Sequence, residues 1–313
     1  RRRGGLCSDG GALVTGDEEP QSEDELQDLI IRMVEGIPRF VGLTPPPISD
    51  GSRMAADRDA TQSLRINLPI ACVHYLESSA EFLGSLHQLM LPRPKELRLW
   101  RFSTYPMLRA VMESSGQTAW VLGPQQQRDR VLRLLQILKD ELNYDGKTVD
   151  VQTDPLDDDP PEMRAEIQAY RRDTAPRRRM RLEWLRETAA GLGIDEAEFA
   201  HGIPGGYTGM LRQVGTEFGF DGPWRGRSLA GGWMFVSGLS HPSFHRSFGS
   251  SINETSEVDG EFVVWTRPDP KFVFRTLKGA INIHFTAMQL FEQACAAPQP
   301  ACDDVPSPTD DDG

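Results

Sequence analysis

Apolar residues recur at three- and four-residue spacing through most of this chain, and that period predicts helices. Leu26, Leu29, Ile30 and Met33 follow the helix-start signal Ser22-Glu23-Asp24-Glu25, and Gly36 stops the run. Residues 37–61 read as a loop, punctuated by Pro45-Pro46-Pro47 and Ser49-Asp50-Gly51. A long helix is predicted from Leu64 to Leu91, stopped by Pro92 and Pro94, with Pro69 moving its start inward. Residues 104–122 form the next, ended by Gly123-Pro124. Over residues 125–144 a stripe of Val131, Leu134, Leu135, Leu138 and Leu142 lies opposite Arg128, Asp129, Arg133 and Lys139. An acidic loop is expected over 145–159, then an Arg-rich helix over 161–192 interrupted or kinked at Pro176.

The remainder continues in the same way. Short helices are predicted over 195–201 and 207–219, and an apolar, small-residue helix over 226–241. The period then changes: Ile252–Val258 and Glu261–Trp265 flank Asp259-Gly260, which predicts a β-hairpin with a type I′ turn. The last helix, 270–296, puts Leu277, Ile281, His284, Met288 and Phe291 on one face. The fold class expected is all-α, a bundle of six to eight helices with a small β-hairpin insertion. One helical domain spans 22–297, between a disordered N-terminal segment, 1–21, and a disordered acidic tail, 298–313.

Composition narrows the setting. The hydrophobic fraction of 38% and charged fraction of 26% fit a globular chain with disorder attached. No run approaches the roughly 20 apolar residues of a membrane span, and no apolar segment follows Arg1-Arg2-Arg3-Gly4-Gly5 as a secretory signal requires. Four cysteines without a C-x-x-C point to reduced thiols, and a cytoplasmic location is expected. The net charge of −12 sits mostly at the ends. Residues 1–25 carry −4 and residues 303–313 carry −5, which leaves −3 for everything between. A nearly neutral central region with local basic patches does not oppose nucleic acid as a strongly acidic surface would.

Two segments place polar residues unusually. In 107–122, Leu108, Val111, Met112, Ser115, Ala119 and Leu122 form one stripe, while Arg109, Glu113, Gln117 and Trp120 share another face. A solvated face is an odd place for Trp120, so Arg109 and Glu113 read as a partly buried pair, with a surface i,i+4 pair as the alternative. In 226–241 the helix is apolar on most sides, which predicts a central position, and Gly231, Gly232 and Gly238 would admit close neighbours. Pro242 ends this helix at His241, where the dipole favours a charged imidazole or a structural cap. From these placements Arg109, Glu113 and His241 are expected to form one polar cluster, either closed and structural or open to a groove. His241 and His245 have H-x-x-x-H spacing, but the intervening Pro242 and the lack of a third ligand argue against metal. The Gly-rich stretches match no phosphate loop, so no cofactor is expected. Seven arginines between 171 and 186 form a basic run that could contact phosphates, but a solvated helical face paired with the acidic loop before it is the leading expectation.

Several of these stretches carry a resemblance. They are Leu108-Arg109-Ala110-Val111-Met112-Glu113, Trp120-Val-Leu-Gly-Pro124, Arg128-Asp-Arg130-Val-Leu-Arg133 and Trp233-Met-Phe-Val-Ser237-Gly-Leu-Ser240-His241. Together they resemble an uncharacterised, mostly actinobacterial family of helical proteins that look like distant HEPN-type domains. The resemblance implies a helical bundle and, in its catalytic form, a metal-independent ribonuclease with an Arg–His pair. In such a site His moves the proton of the attacking 2′-OH and Arg stabilises charge on the phosphate. The arginine position of that pair falls on Met234. A non-catalytic binding or regulatory role, toward RNA or a partner protein, is therefore the leading expectation. The alternatives are a ribonuclease of toxin or phage-defence type, with His241 as acid/base aided by Arg109 and Glu113, and a structural bundle that self-associates as a homodimer.

Overall fold

The computed structural model describes residues 22–42, 44–219, 226–241, 243–258 and 261–298. Among them are eleven α-helices and one two-stranded antiparallel hairpin. The helices are α1 (Glu23–Gly36), α2 (Arg53–Ala60), α3 (Leu68–Met90), α4 (Thr104–Leu122), α5 (Gln127–Gln152), α6 (Pro161–Gly191), α7 (Glu196–Phe199), α8 (Gly206–Glu217), α9 (Arg227–Leu239), α10 (Phe244–Gly249) and α11 (Pro270–Cys295). The strands β1 (Ser251–Val258) and β2 (Glu261–Pro268) precede α11. No described helix is long and apolar enough to cross a membrane.

Local chemistry sets most of the helix starts. Ser22, Ser52 and Asn67 accept backbone N–H bonds as N-caps of α1, α2 and α3, and Asp269 does so for α11. Pro69 and Pro270 occupy first-turn positions, where a missing N–H costs nothing. Asp195 and Glu198 form a reciprocal capping box on α7.

The centre of the bundle is α4. Thirteen of its 19 residues are buried. α3 and α11 pack along it, α8 and α9 cover another side, and α5 meets its C-terminal end. The apolar interior falls into two clusters. One joins the N-terminal halves of α4 and α11 to the C-terminal half of α3, through residues such as Leu83, Leu108, Met112 and Leu277. The other joins the opposite halves, through Cys72, Ala119, Leu122, Ile283 and Phe291, with α5, α7 and α8. α3 therefore runs antiparallel to α4 and α11.

Several expectations are corrected here. The helix over 226–241 is peripheral, with Leu229, Ala230, Val236 and Leu239 its only buried residues along α9. Two of its three glycines do not line a crossing: a Cβ on Gly231 would meet nothing within 4 Å, and one on Gly232 only the Met112 methyl at 3.8 Å, whereas Gly238 does admit a close neighbour, the Arg246 side chain of α10. The 37–61 loop contains α2, and α10 adds a further unforeseen helix. The expected acidic loop at 145 is helical to Gln152, and Asp154-Pro155 ends the helix because a residue before proline disfavours the α conformation. α6 is continuous through Pro176. The carbonyl that loses its bond there belongs to Arg172, an exposed residue whose carbonyl can turn to water. The β-hairpin is present, and its register pairs Val258 with Glu261. The turn residues Asp259 and Gly260 lie outside the described residues, as do segments 1–21 and 299–313.

Candidate functional site

Arg109 and Glu113 form the pair that their shared helical face predicts. Arg109 Nε donates to Glu113 Oε1 over 2.7 Å, and both side chains are largely covered. The cover comes from α8 and α9. Trp233 Nε1 donates to the same carboxylate oxygen at 2.9 Å, and its ring lies 6.0 Å from the Arg109 guanidinium. Tyr207 stacks on Trp233 with centroids 6.0 Å apart. Burial, reinforced by the Glu113 and Glu141 carboxylates, pushes the Tyr207 hydroxyl up to about 12. Gln117, one turn beyond Glu113, donates to that hydroxyl at 3.4 Å. Trp120 ends the face: it is 2% exposed, its Nε1 donates to Gln213 at 2.9 Å, and the Arg133 guanidinium lies 5.2 Å from its ring. Glu113, Gln117 and Trp120 each find a partner inside the protein, as in a structural network.

His241 takes no part in it. The residue lies beyond the end of α9, exposed, and among the described residues its side chain makes no hydrogen bond or ion pair with Arg109 or Glu113. Trp233 is the α9 residue beside Glu113, and six residues of helical rise, about 9 Å, separate it from Leu239, beyond which His241 lies two residues further on. His245 belongs to α10, so the two histidines do not share a helix face. No group of three or more His, Cys, Asp or Glu side chains that could hold a metal occurs among the described residues. Met234 is half-exposed, and the Arg246 guanidinium packs across α9 over Gly238, with Nη1 3.5 Å from the Met234 carbonyl.

The deepest polar groups lie elsewhere. Ser79 of α3, Ser115 of α4 and His284 of α11 meet where the two apolar clusters adjoin, forming a polar waist across the three core helices. Ser79 Oγ lies 2.6 Å from Ser115 Oγ and 2.8 Å from His284 Nδ1, and Ser115 Oγ lies 3.2 Å from the same nitrogen. All three residues are buried, and burial lowers the His284 pKa to about 4, so the imidazole is neutral at pH 7. A second buried network ties α2 to α5. Arg130 makes two bonds to the Asp57 carboxylate, at 2.6 and 2.8 Å, and its remaining nitrogen donates to the carbonyls of Pro124 and Gln125. Asp57 and Arg130 are 0% and 3% exposed, so every bond is needed to offset their desolvation.

The charged surface feature is the arm formed by α6 and the end of α5. α6 is 31 residues long, about 46 Å, yet buries only Leu185, Thr188 and Ala189 near its end. Arg171, Arg172, Arg177, Arg178, Arg179 and Arg181 are all exposed on the part that precedes them. Arg181 pairs with Asp145 at 2.8 Å, Arg171 donates to Thr153, and Arg178 lies against Gly146. No ion pair engages Arg172, Arg177 or Arg179 among the described residues. At 100° per residue, Tyr170, Arg177 and Arg181 fall within about 40° of one another, a stripe that interleaves an aromatic ring with two guanidinium groups. Tyr170 and Tyr144 are both solvent-exposed on this arm. The basic run was visible in the sequence; its projection from the body was not. No protein-family model, curated protein sequence or solved structure matches this chain.

Proposed function

We propose that this protein is a non-catalytic, HEPN-like helical protein that binds single-stranded RNA through the α5–α6 arm. The observation that carries this reading is the six exposed arginines between 171 and 181 on a helix that stands away from the body. Guanidinium groups contact phosphates in a forked geometry and release counterions on binding. Exposed Tyr144 and Tyr170 offer faces on which unpaired bases stack, which favours a single strand over a duplex. The test is fluorescence anisotropy of a labelled RNA oligomer with the full chain and with Arg172→Glu, Arg177→Glu, Arg179→Glu. All three side chains are exposed, so folding is expected to persist. Binding by the wild type, weakened at least tenfold in the triple variant, supports the reading. Equal binding by both, or none by the wild type, overturns it in favour of a protein partner. Cleavage of the oligomer, lost in His241→Ala, would instead support the ribonuclease reading.

A second reading, self-association, draws on the hairpin. Phe262 and Trp265 are 83% and 62% exposed on β2, and an isolated two-stranded ribbon is marginal in water. Light scattering of the full chain and of Phe262→Glu tests it: a dimer lost in the variant supports it, and a monomer in both rules it out.

A further inference from the structure

Residues 303–313 carry five aspartates and no base, in a segment, 299–313, outside the described residues. The point from which that segment leaves the body is described. α11 ends at Cys295, whose carbonyl accepts the Ser49 N–H at 3.0 Å, and a Cβ on Gly51 would lie 3.8 Å from the Pro298 ring. Pro298 therefore sits beside the start of α2. The base of the arm adjoins the other end of α2. Ser63, three residues past Ala60, has its hydroxyl 2.6 Å from that of Thr188 on α6. α2 is eight residues long, about 12 Å, and a further 10–16 Å or so of helical rise separates Thr188 from Arg181 and Arg177. The path from Pro298 along α2 and up α6 to these arginines is thus on the order of 45 Å, and the straight line is shorter. Asp310, Asp311 and Asp312 follow Pro298 by twelve to fourteen residues, which an extended chain spans in about 40–50 Å. Arg65, exposed and without an ion pair among the described residues, lies beside Ser63 along the way.

The arm offers the matching charge. Arg172, Arg177 and Arg179 are three exposed guanidinium groups within eight residues, none of them in an ion pair among the described residues. A tethered anion meets them at an effective concentration in the millimolar range, so that even weak attraction fills the surface. The opposite end of the chain is no equivalent. Residues 1–21 set three arginines against four acids and are nearly neutral.

We propose that the acidic segment 303–313 docks on the exposed arginines of α6 in the same chain and competes there with RNA. The competition rests on the RNA reading above; the contact between segment and arm does not.

The experiment reads the contact first, without RNA. A nitroxide is placed on Thr309→Cys in the full chain with Cys7→Ser and Cys302→Ser, the remaining Cys72 and Cys295 being buried. It should broaden the ¹⁵N-amide signals of residues 172–181. The broadening should vanish with Arg172→Glu, Arg177→Glu, Arg179→Glu, and also in 1 M salt, where screening acts within about 3 Å. RNA anisotropy then reads the competition. Asp303→Asn, Asp304→Asn, Asp310→Asn, Asp311→Asn, Asp312→Asn in the full chain should tighten RNA binding at least fivefold at low salt, with the gap closing as salt rises. Broadening at the arm with no RNA bound by either chain supports the contact and counts against the RNA reading alone. RNA binding without broadening at the arm, or unchanged by the five substitutions, overturns the proposal and leaves the RNA reading standing. Equal broadening when the spin-labelled chain is mixed with a separate ¹⁵N-labelled chain overturns the assignment to one and the same chain.

Discussion

Ser79 Oγ and His284 Nδ1, 205 residues apart in sequence, lie 2.8 Å from each other at the level where the two apolar clusters of the core meet. Ser115 closes the triangle from α4. The triad sets the register of the three central helices. Sliding any one of them by a turn would move its polar residue into an apolar cluster without a partner, which is costly in a low-dielectric interior.

The waist makes stability depend on pH in a calculable direction. His284 has a pKa of about 4 in the fold, below its ordinary value of 6.5, so the unfolded chain binds the extra proton first. The neutral form's contribution is complete above pH 6.5 and declines as pH falls toward 4. The groups facing it are the two serines and Phe40, with Glu77, Glu81 and Glu292 lining a cavity that His284 also lines. Between pH 7.5 and pH 5 the loss should be about 2 kcal/mol. Urea unfolding of the wild type and of His284→Asn, which keeps an acceptor near Nδ1 but cannot titrate, measures it. The variant is less stable at pH 7.5 and should show a slope shallower by that amount; parallel slopes would refute the burial of a neutral imidazole.

The Asp57–Arg130 pair should behave as a closed buried network. Arg130→Met leaves the Asp57 carboxylate buried without its partner and should cost about 3–5 kcal/mol. Adding Asp57→Leu removes the stranded charge and should recover a substantial part of that loss. Denaturant midpoints of the single and double variants test this, and a double variant no better than the single would show that the pair contributes by packing alone.

Two glycines should respond oppositely. A Cβ on Gly116 of α4 would come within 2.6 Å of Leu211 Cδ2 and 3.1 Å of Met210 Cε, so Gly116→Ala should cost about 1–3 kcal/mol through overpacking. Gly232 of α9 has room, and Gly232→Ala should be neutral or stabilise by up to about 1 kcal/mol through helix propensity. Thermal melts compare them directly, and the reverse order would place α9 at the centre after all.

That contrast also shows what the sequence could and could not convey. Periodicity located the long helices because an amphipathic stripe repeats over many turns, and it put Trp120 on a face too apolar to be solvated, hence the covered Arg109–Glu113 pair. It misplaced α9, since an apolar composition does not reveal which sides meet other helices. Two members of the waist were legible as anomalies: Ser115 inside the apolar stripe of α4 and His284 inside that of α11. Their meeting with Ser79 was not, because it depends on how three helices far apart in sequence are aligned. Asp57 was missed with its helix, which at eight residues is too short to show a period between a Pro-rich stretch and the next helix. His241 drew notice through its position at a helix end, which speaks to the dipole and not to what lies across the gap.

The central claim, RNA bound along the arm, is tested most directly by ultraviolet crosslinking of the full chain to a labelled single-stranded RNA, with the crosslinked residues identified by mass spectrometry. Binding along the exposed face of α6 and the end of α5 predicts crosslinks at Tyr170, Tyr144 or their neighbours. Crosslinks confined to α9 and α10 around His241, or no crosslink at an RNA concentration that saturates binding, would contradict it.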